Sequence, residues 1–163
     1  MTTLVFCTAW ADSEAAWRQR YGRWLDAVLG SNLERSQVLL VDDASPCPPP
    51  FGGLAHCPAE SLPAERPAPP VVVARFSTHL GRPGILDYPG WWRSFAFSAR
   101  YAVRYGFDKV VHLESDTFLL STRLHDHVNA LDAGWVVFWC PRWGFPETCL
   151  QVICRDQLAA FGQ

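Results

Sequence analysis

The stretch Val110-Val111-His112-Leu113-Glu114-Ser115-Asp116 decides how this chain is read. With Lys109 it forms a short apolar run of the kind that fills a buried, central strand. Two carboxylates follow at once. An acid-x-acid pair is cheap by itself, and the chain holds a second, Asp12-Ser13-Glu14, at a helix start where acids suit the dipole. Glu114 and Asp116 have no such helical role. They leave an apolar strand, where an unpaired carboxylate is costly to bury, and alternate strand positions point the same way. A hard divalent cation would relieve that cost. The competing reading is a pair of acids on a solvated turn. His112, inside the strand, reads as a satisfied core histidine.

Outward from this point, strands are predicted over Leu4–Thr8, Val38–Val41, Val71–Phe76, Lys109–Leu113, Gly134–Cys140 and Thr148–Cys154. The first helix is capped by Asp12 or Ser13, carries Trp17, Tyr21, Trp24, Leu25 and Val28 at helical spacing, and stops at Gly30. A second spans Trp91–Tyr105, with Phe95, Ala99, Ala102 and Val103 on one face and Gly106 as its stop. A short helix runs from a cap at Ser121 or Thr122 to Leu131, and Asp156 caps a terminal one. Strands alternating with helices predict an α/β fold with a mostly parallel central sheet and flanking helices. Such sheets bind ligands at the carboxyl ends of their strands. Thr8, Asp42, Asp43, His79, Gly81, Glu114 and Asp116 all fall there.

The chain has 163 residues, 49% of them hydrophobic, enough for one buried core, so one domain over 1–163 is expected. A formal charge of −2 disfavours broad electrostatic binding to nucleic acid. No apolar run approaches the roughly 18 residues of a membrane span. The N-terminus lacks the basic flank and long apolar core of a signal peptide, so a cytoplasmic location is expected. The six cysteines form no C-x-x-C, and four sit in apolar runs. They are expected to be reduced, with Cys47 and Cys57 the pair to suspect if a bridge forms. Nine of the thirteen prolines fall in 44–70, which predicts a long irregular loop there.

Other residues carry two readings each. Asp42-Asp43 suits either turn chemistry or a contact to a base or ribose. His79 lies in a glycine-bearing loop where phosphate contact is an alternative to a surface role. Trp91-Trp92 reads as a core anchor or as a sugar platform. Glu147, in a loop beside aromatics, reads as a surface acid or as a base for an acceptor hydroxyl. His125-Asp126-His127 does not suit a metal, because residues two apart on a helix face different directions. Walker, G-x-G-x-x-G, G-x-S-x-G and H-E-x-x-H motifs are absent.

Taken together, three elements resemble a family. Val41-Asp42-Asp43-Ala44-Ser45 looks like the V-D-D-x-S that ends the second strand of GT-A-fold (family 2-like) nucleotide-sugar glycosyltransferases. His112-Leu113-Glu114-Ser115-Asp116 looks like their D-x-D element, with glutamate in the first position. Leu80-Gly81 through Arg93 resembles their glycine-containing loop before the preceding helix. The resemblance covers about residues 3–160. It implies that Thr8, Ala9 and Trp10 border the base, that Asp42 or Asp43 contacts base or ribose, and that Arg93 approaches the diphosphate. Asp116 would bind Mn²⁺ or Mg²⁺, and Glu114, with Ser115 between them, would hold the ribose or the metal's water. The implied activity is metal-dependent transfer of a sugar from a nucleotide-diphosphate donor to a hydroxyl acceptor, saccharide or other. Family members usually continue with an acceptor-binding half, so a non-catalytic nucleotide-sugar or carbohydrate-binding module is the alternative.

Overall fold

Short runs of valine, leucine and phenylalanine become strands here because helices cover both faces of the sheet they form. The computed structural model describes residues 1–161, so Gly162 and Gln163 of the expected 1–163 domain lie outside the described residues. The strands are β1 (Thr3–Ala9), β2 (Gln37–Asp42), β3 (Ala55–Pro58), β4 (Val71–Arg75), β5 (Lys109–Leu113), β6 (Trp135–Cys140) and β7 (Phe145–Cys154). They form one seven-stranded sheet in the order β3-β4-β2-β1-β5-β7-β6. The first five of that row are parallel; β7 runs antiparallel to β5, and β6 antiparallel to β7. The fold is therefore α/β with a mixed, mostly parallel sheet, and no helix among the described residues is long and apolar enough to cross a membrane.

Period-two alternation divides β1 between two cores. Val5 and Cys7 face Trp17, Trp24, Leu25 and Val28. These come from α1 (Glu14–Ala16), a π-helical turn (Trp17–Gly22) and α2 (Arg23–Gly30). Leu4 and Phe6 face Phe95, Ala99, Tyr101 and Ala102 of α3 (Pro89–Tyr105). Ser13 caps α1 by accepting the Ala16 amide at 3.2 Å. Gly106 ends α3 with φ 71°, a left-handed conformation in which a side chain would be strained.

Several expectations need correction. The proline-rich 44–70 segment is not wholly irregular: Ala55–Pro58 pairs in parallel with β4 as an edge strand. Only Cys57 of its four residues is buried, so it carries no apolar run to announce it. The first helix has a π-helical middle. Val103 faces solvent. Glu147 lies within β7, opposite Phe138, rather than in a loop. Asp156 sits inside α5 (Arg155–Phe161), and its carboxylate accepts the Gly134 amide at 3.0 and 3.1 Å. No cysteine among the described residues is bridged, Cys47 and Cys57 included.

One buried cation ties the sheet to a helix end. Lys109 Nζ donates to the carbonyls of Val128, Asn129 and Leu131 at 2.9, 2.9 and 3.0 Å. These carbonyls lie at the C-terminal end of α4 (Thr122–Ala130), where a cation also suits the dipole. Burial pulls the Lys109 ammonium below its ordinary pKa. Lys109→Met keeps the apolar stem but removes all three donors. Stranding buried carbonyls costs about 1–3 kcal/mol, so a clear fall in the thermal midpoint is expected. An unchanged midpoint in a melting experiment would show that water replaces the ammonium there.

Candidate functional site

The chain leaves β1 in opposite directions. It crosses through α2 to β2 on one side, and later returns from β4 through α3 to β5 on the other. The carboxyl ends of β1 and β5 thus flank a topological switch point, where open α/β sheets form their crevice. A cleft of about 930 Å³ lies there. Thr8, Ala9 and Trp10 wall it from the end of β1, and Glu114, Ser115 and Asp116 from the end of β5. Asp43, His79 and Gly81 complete the side toward β2 and β4. These nine predicted residues, far apart in the chain, meet in one place.

Asp43 is the clasp of that side. Its Oδ2 accepts the Gly81 amide at 2.9 Å and the Leu80 amide at 3.2 Å. His79 Nδ1 stands 2.9 Å from the same oxygen, and Arg93 pairs with Oδ1. Glycine is required twice. Gly81 has φ 62°, and a Cβ on Gly90 would run into the Asp43 carboxylate and come within 2.9 Å of the Gly81 nitrogen. Ala44 also takes positive φ, 57°, which turns the chain sharply after Asp43. His79 in turn stacks on Trp10, with ring centroids 5.1 Å apart.

Three predicted residues do not line the cleft. Asp42 is fully buried. Its Oδ1 accepts the Ser45 hydroxyl at 2.6 Å and the Ser45 amide at 3.0 Å, the turn chemistry of an Asx motif. Burial raises the Asp42 pKa despite those bonds and Arg75. Arg93 is committed to Asp43, to the Thr78 carbonyl and to the ring of Phe76, 3.8 Å from its guanidinium. Glu147 stands on β7, outside the cleft lining.

Glu114 and Asp116 remain as carboxylates without a cationic partner among the described residues. Burial first, then the Asp116 charge, pushes the Glu114 pKa up, and the Thr148 hydroxyl 3.5 Å away only partly opposes this. Asp116 is exposed on a turn and Glu114 is half-buried beside it. No cluster of three or more His, Cys, Asp or Glu assembles among the described residues. Two carboxylates nevertheless fit a Mg²⁺-type ion, which binds through one or two carboxylates and takes the rest of its oxygens from water and substrate phosphates. His112 is only half satisfied. Its Nδ1 lies 3.1 Å from the Thr148 carbonyl, Nε2 has no partner, and burial lowers its pKa to about 4. It packs among Phe6, Trp91 and Phe95.

The cleft also recruits residues that sequence reading passed over, among them Arg20, Arg82, Tyr88, Trp135 and Gln151. Trp135 Nε1 donates to Gln151 at 3.1 Å, which fixes the indole against the polar wall. Trp91 and Trp92, read as anchor or platform, differ in exposure. Trp91 stacks on Phe95 with centroids 4.7 Å apart, while Trp92 is exposed at the mouth. Trp135 had no sequence signal, because every residue of β6 is apolar and only the fold shows which face is exposed; Arg20 had none either, because the π-helical turn sets its direction. No family model, no curated protein and no solved structure matches the chain.

Asp43→Asn removes the charge but keeps the shape. The Arg93 and His79 contacts then weaken, and the 77–88 loop is expected to open more often. Hydrogen exchange should quicken at the Leu80 and Gly81 amides by about tenfold, since one charge-assisted bond is worth roughly 1.5–3 kcal/mol. Unaltered exchange at those amides would show that Asp43 does not hold the loop.

Proposed function

We propose that this chain binds a nucleotide-diphosphate sugar in the cleft and, with Mn²⁺ or Mg²⁺, transfers the sugar to a hydroxyl acceptor, as its resemblance to GT-A-fold glycosyltransferases implies. The observation that supports it best is the meeting of Glu114-Ser115-Asp116 with Thr8-Ala9-Trp10 across one cleft at the switch point. An α/β sheet of this order offers nucleotides such a crevice. Trp10, stacked on His79, gives a flat apolar face for a base. Trp92 and Trp135 are exposed aromatic faces for a sugar. Asp116 and Glu114 would hold the cation, which when bound supplies Lewis-acid neutralisation of the leaving diphosphate. Trp91, stacked on Phe95, gives the cleft a further apolar wall.

One observation favours the non-catalytic alternative. Glu147, the candidate base, lies outside the cleft lining. A binding module needs the donor pocket and no base. The two readings separate on whether bound donor is ever transferred or slowly hydrolysed.

Thermal stability with UDP, GDP, CDP and dTDP, each with and without Mn²⁺, tests the reading. A ligand at about 100 times its Kd adds roughly 2.7 kcal/mol, an easily measured shift. One nucleotide should stabilise the chain in a metal-dependent manner, and Asp116→Ala should abolish the metal dependence. The reading fails if no nucleotide shifts the midpoint, or if Asp116→Ala responds to metal as the parent does.

A further inference from the structure

Three arginines stand in or beside the cleft, and two are already committed. Arg93 is held by Asp43 and the Thr78 carbonyl. Arg82 donates to the carbonyls of Gly84 and Ile85, both at 3.1 Å, and lies 4.4 Å over the Tyr88 ring. Arg20 lines the cleft, is exposed, and among the described residues pairs with no carboxylate and donates to no backbone carbonyl.

The position of Arg20 is set from both sides. It lies in the π-helical turn Trp17–Gly22, whose wide turns shift side-chain directions from the regular helical rows. Trp17 is buried, and its Nε1 donates to the Cys47 carbonyl at 3.0 Å. Tyr21, also buried, donates its hydroxyl to the Trp10 carbonyl at 3.0 Å and accepts the Trp10 amide at 2.8 Å. Two anchored aromatics therefore bracket Arg20 against the end of β1. The charges around Cys7 agree with this placement. Burial raises that thiol's pKa most, Arg20 opposes the rise, and Glu114 and Asp116 add to it. The cation and the acidic pair thus stand around the same strand end.

We infer that Arg20 is the side chain that receives the phosphate groups of the cleft's ligand, in place of the committed Arg93. The naming of that ligand as a nucleoside diphosphate rests on the proposed function. Without Arg20 this end of the cleft would present only Glu114 and Asp116 to an anion. The Arg20 guanidinium hydrogen-bonds the Tyr21 hydroxyl, and its remaining donors match phosphate oxygens in a two-point contact. A neutral sugar would gain little from it.

The test measures binding of inorganic pyrophosphate, and of UDP, GDP, CDP and dTDP with their parent nucleosides, to the parent chain and to Arg20→Gln. Arg20 is exposed, so the unliganded melting midpoint of Arg20→Gln should equal that of the parent. Pyrophosphate and the preferred diphosphate should each bind about tenfold or more weakly to Arg20→Gln, the usual loss for a hydrogen bond to a charged group. Nucleoside binding should not change, and Arg20→Lys should recover part of the loss. The inference is overturned if Arg20→Gln binds pyrophosphate as the parent does, or if it loses nucleoside and diphosphate equally. If the parent binds pyrophosphate through Arg20 but none of the diphosphates, the nucleotide-sugar reading fails while Arg20 stands. If the parent binds neither, both fall.

Discussion

The cleft depends on one carboxylate. Asp43 draws the backbone of Leu80 and Gly81, the ring of His79 and the guanidinium of Arg93 to the end of β2. Without an anion at that point, the loop before α3 has nothing to close on, and the first turn of α3 loses its seat against Gly81. The cost of taking a carboxylate from water is met by four partners converging on two oxygens. That convergence demands a bare backbone at Gly90, because a Cβ would occupy the space of the carboxylate. The stability of this corner and the shape of the cleft are therefore one problem with one solution.

The acids of the site divide by how they are compensated. Asp42 and Asp43 are neighbours in sequence and both almost wholly buried, and each has internal partners: Ser45 bonds Oδ1 of Asp42 while Arg75 stands 3.5 Å from its Oδ2, and the loop holds Asp43. Glu114 and Asp116 have no such closure. Burial and their mutual repulsion hold the Glu114 proton more tightly than in water. Asp116 is exposed to water and Glu114 is half-buried beside it, so the pair differs from Asp42 and Asp43 in having solvent rather than cationic protein groups as its partners. The arginines divide in the same way. Arg93 and Arg82 serve the scaffold, and Arg20, exposed beside the Tyr21 hydroxyl, pairs with no carboxylate among the described residues.

The aromatic residues show a matching split. Trp17 and Trp24 are buried beneath the sheet, and Trp91 rests on Phe95. Trp10, Trp92 and Trp135 keep exposed faces around the opening. Trp135 is the more telling because it belongs to the edge strand β6, far from the first strand in sequence, and is still held in place by Gln151. Rigid aromatic faces bordered by fixed polar groups suit a ligand with a flat apolar surface and many hydroxyls.

Local sequence determined the alternating α/β pattern, the boundaries set by Ser13 and Gly106, and the emergence of Glu114 and Asp116 from a buried strand. These follow from periodicity, capping and the cost of burying charge, all of which act over a few residues. It also brought nine cleft residues within reach, because a parallel sheet places every strand's carboxyl end on one edge. Tertiary structure alone decided which polar groups are used up. Arg93 reads as a phosphate ligand until Asp43, fifty positions away, takes its guanidinium. β3 forms only because β4 offers its edge, and Glu147 joins a strand only because β6 pairs with it. Arg20 faces the cleft through a π-helical turn that no local propensity announces. A charged side chain is free or occupied according to partners brought near by folding, and that is a property of distance in space.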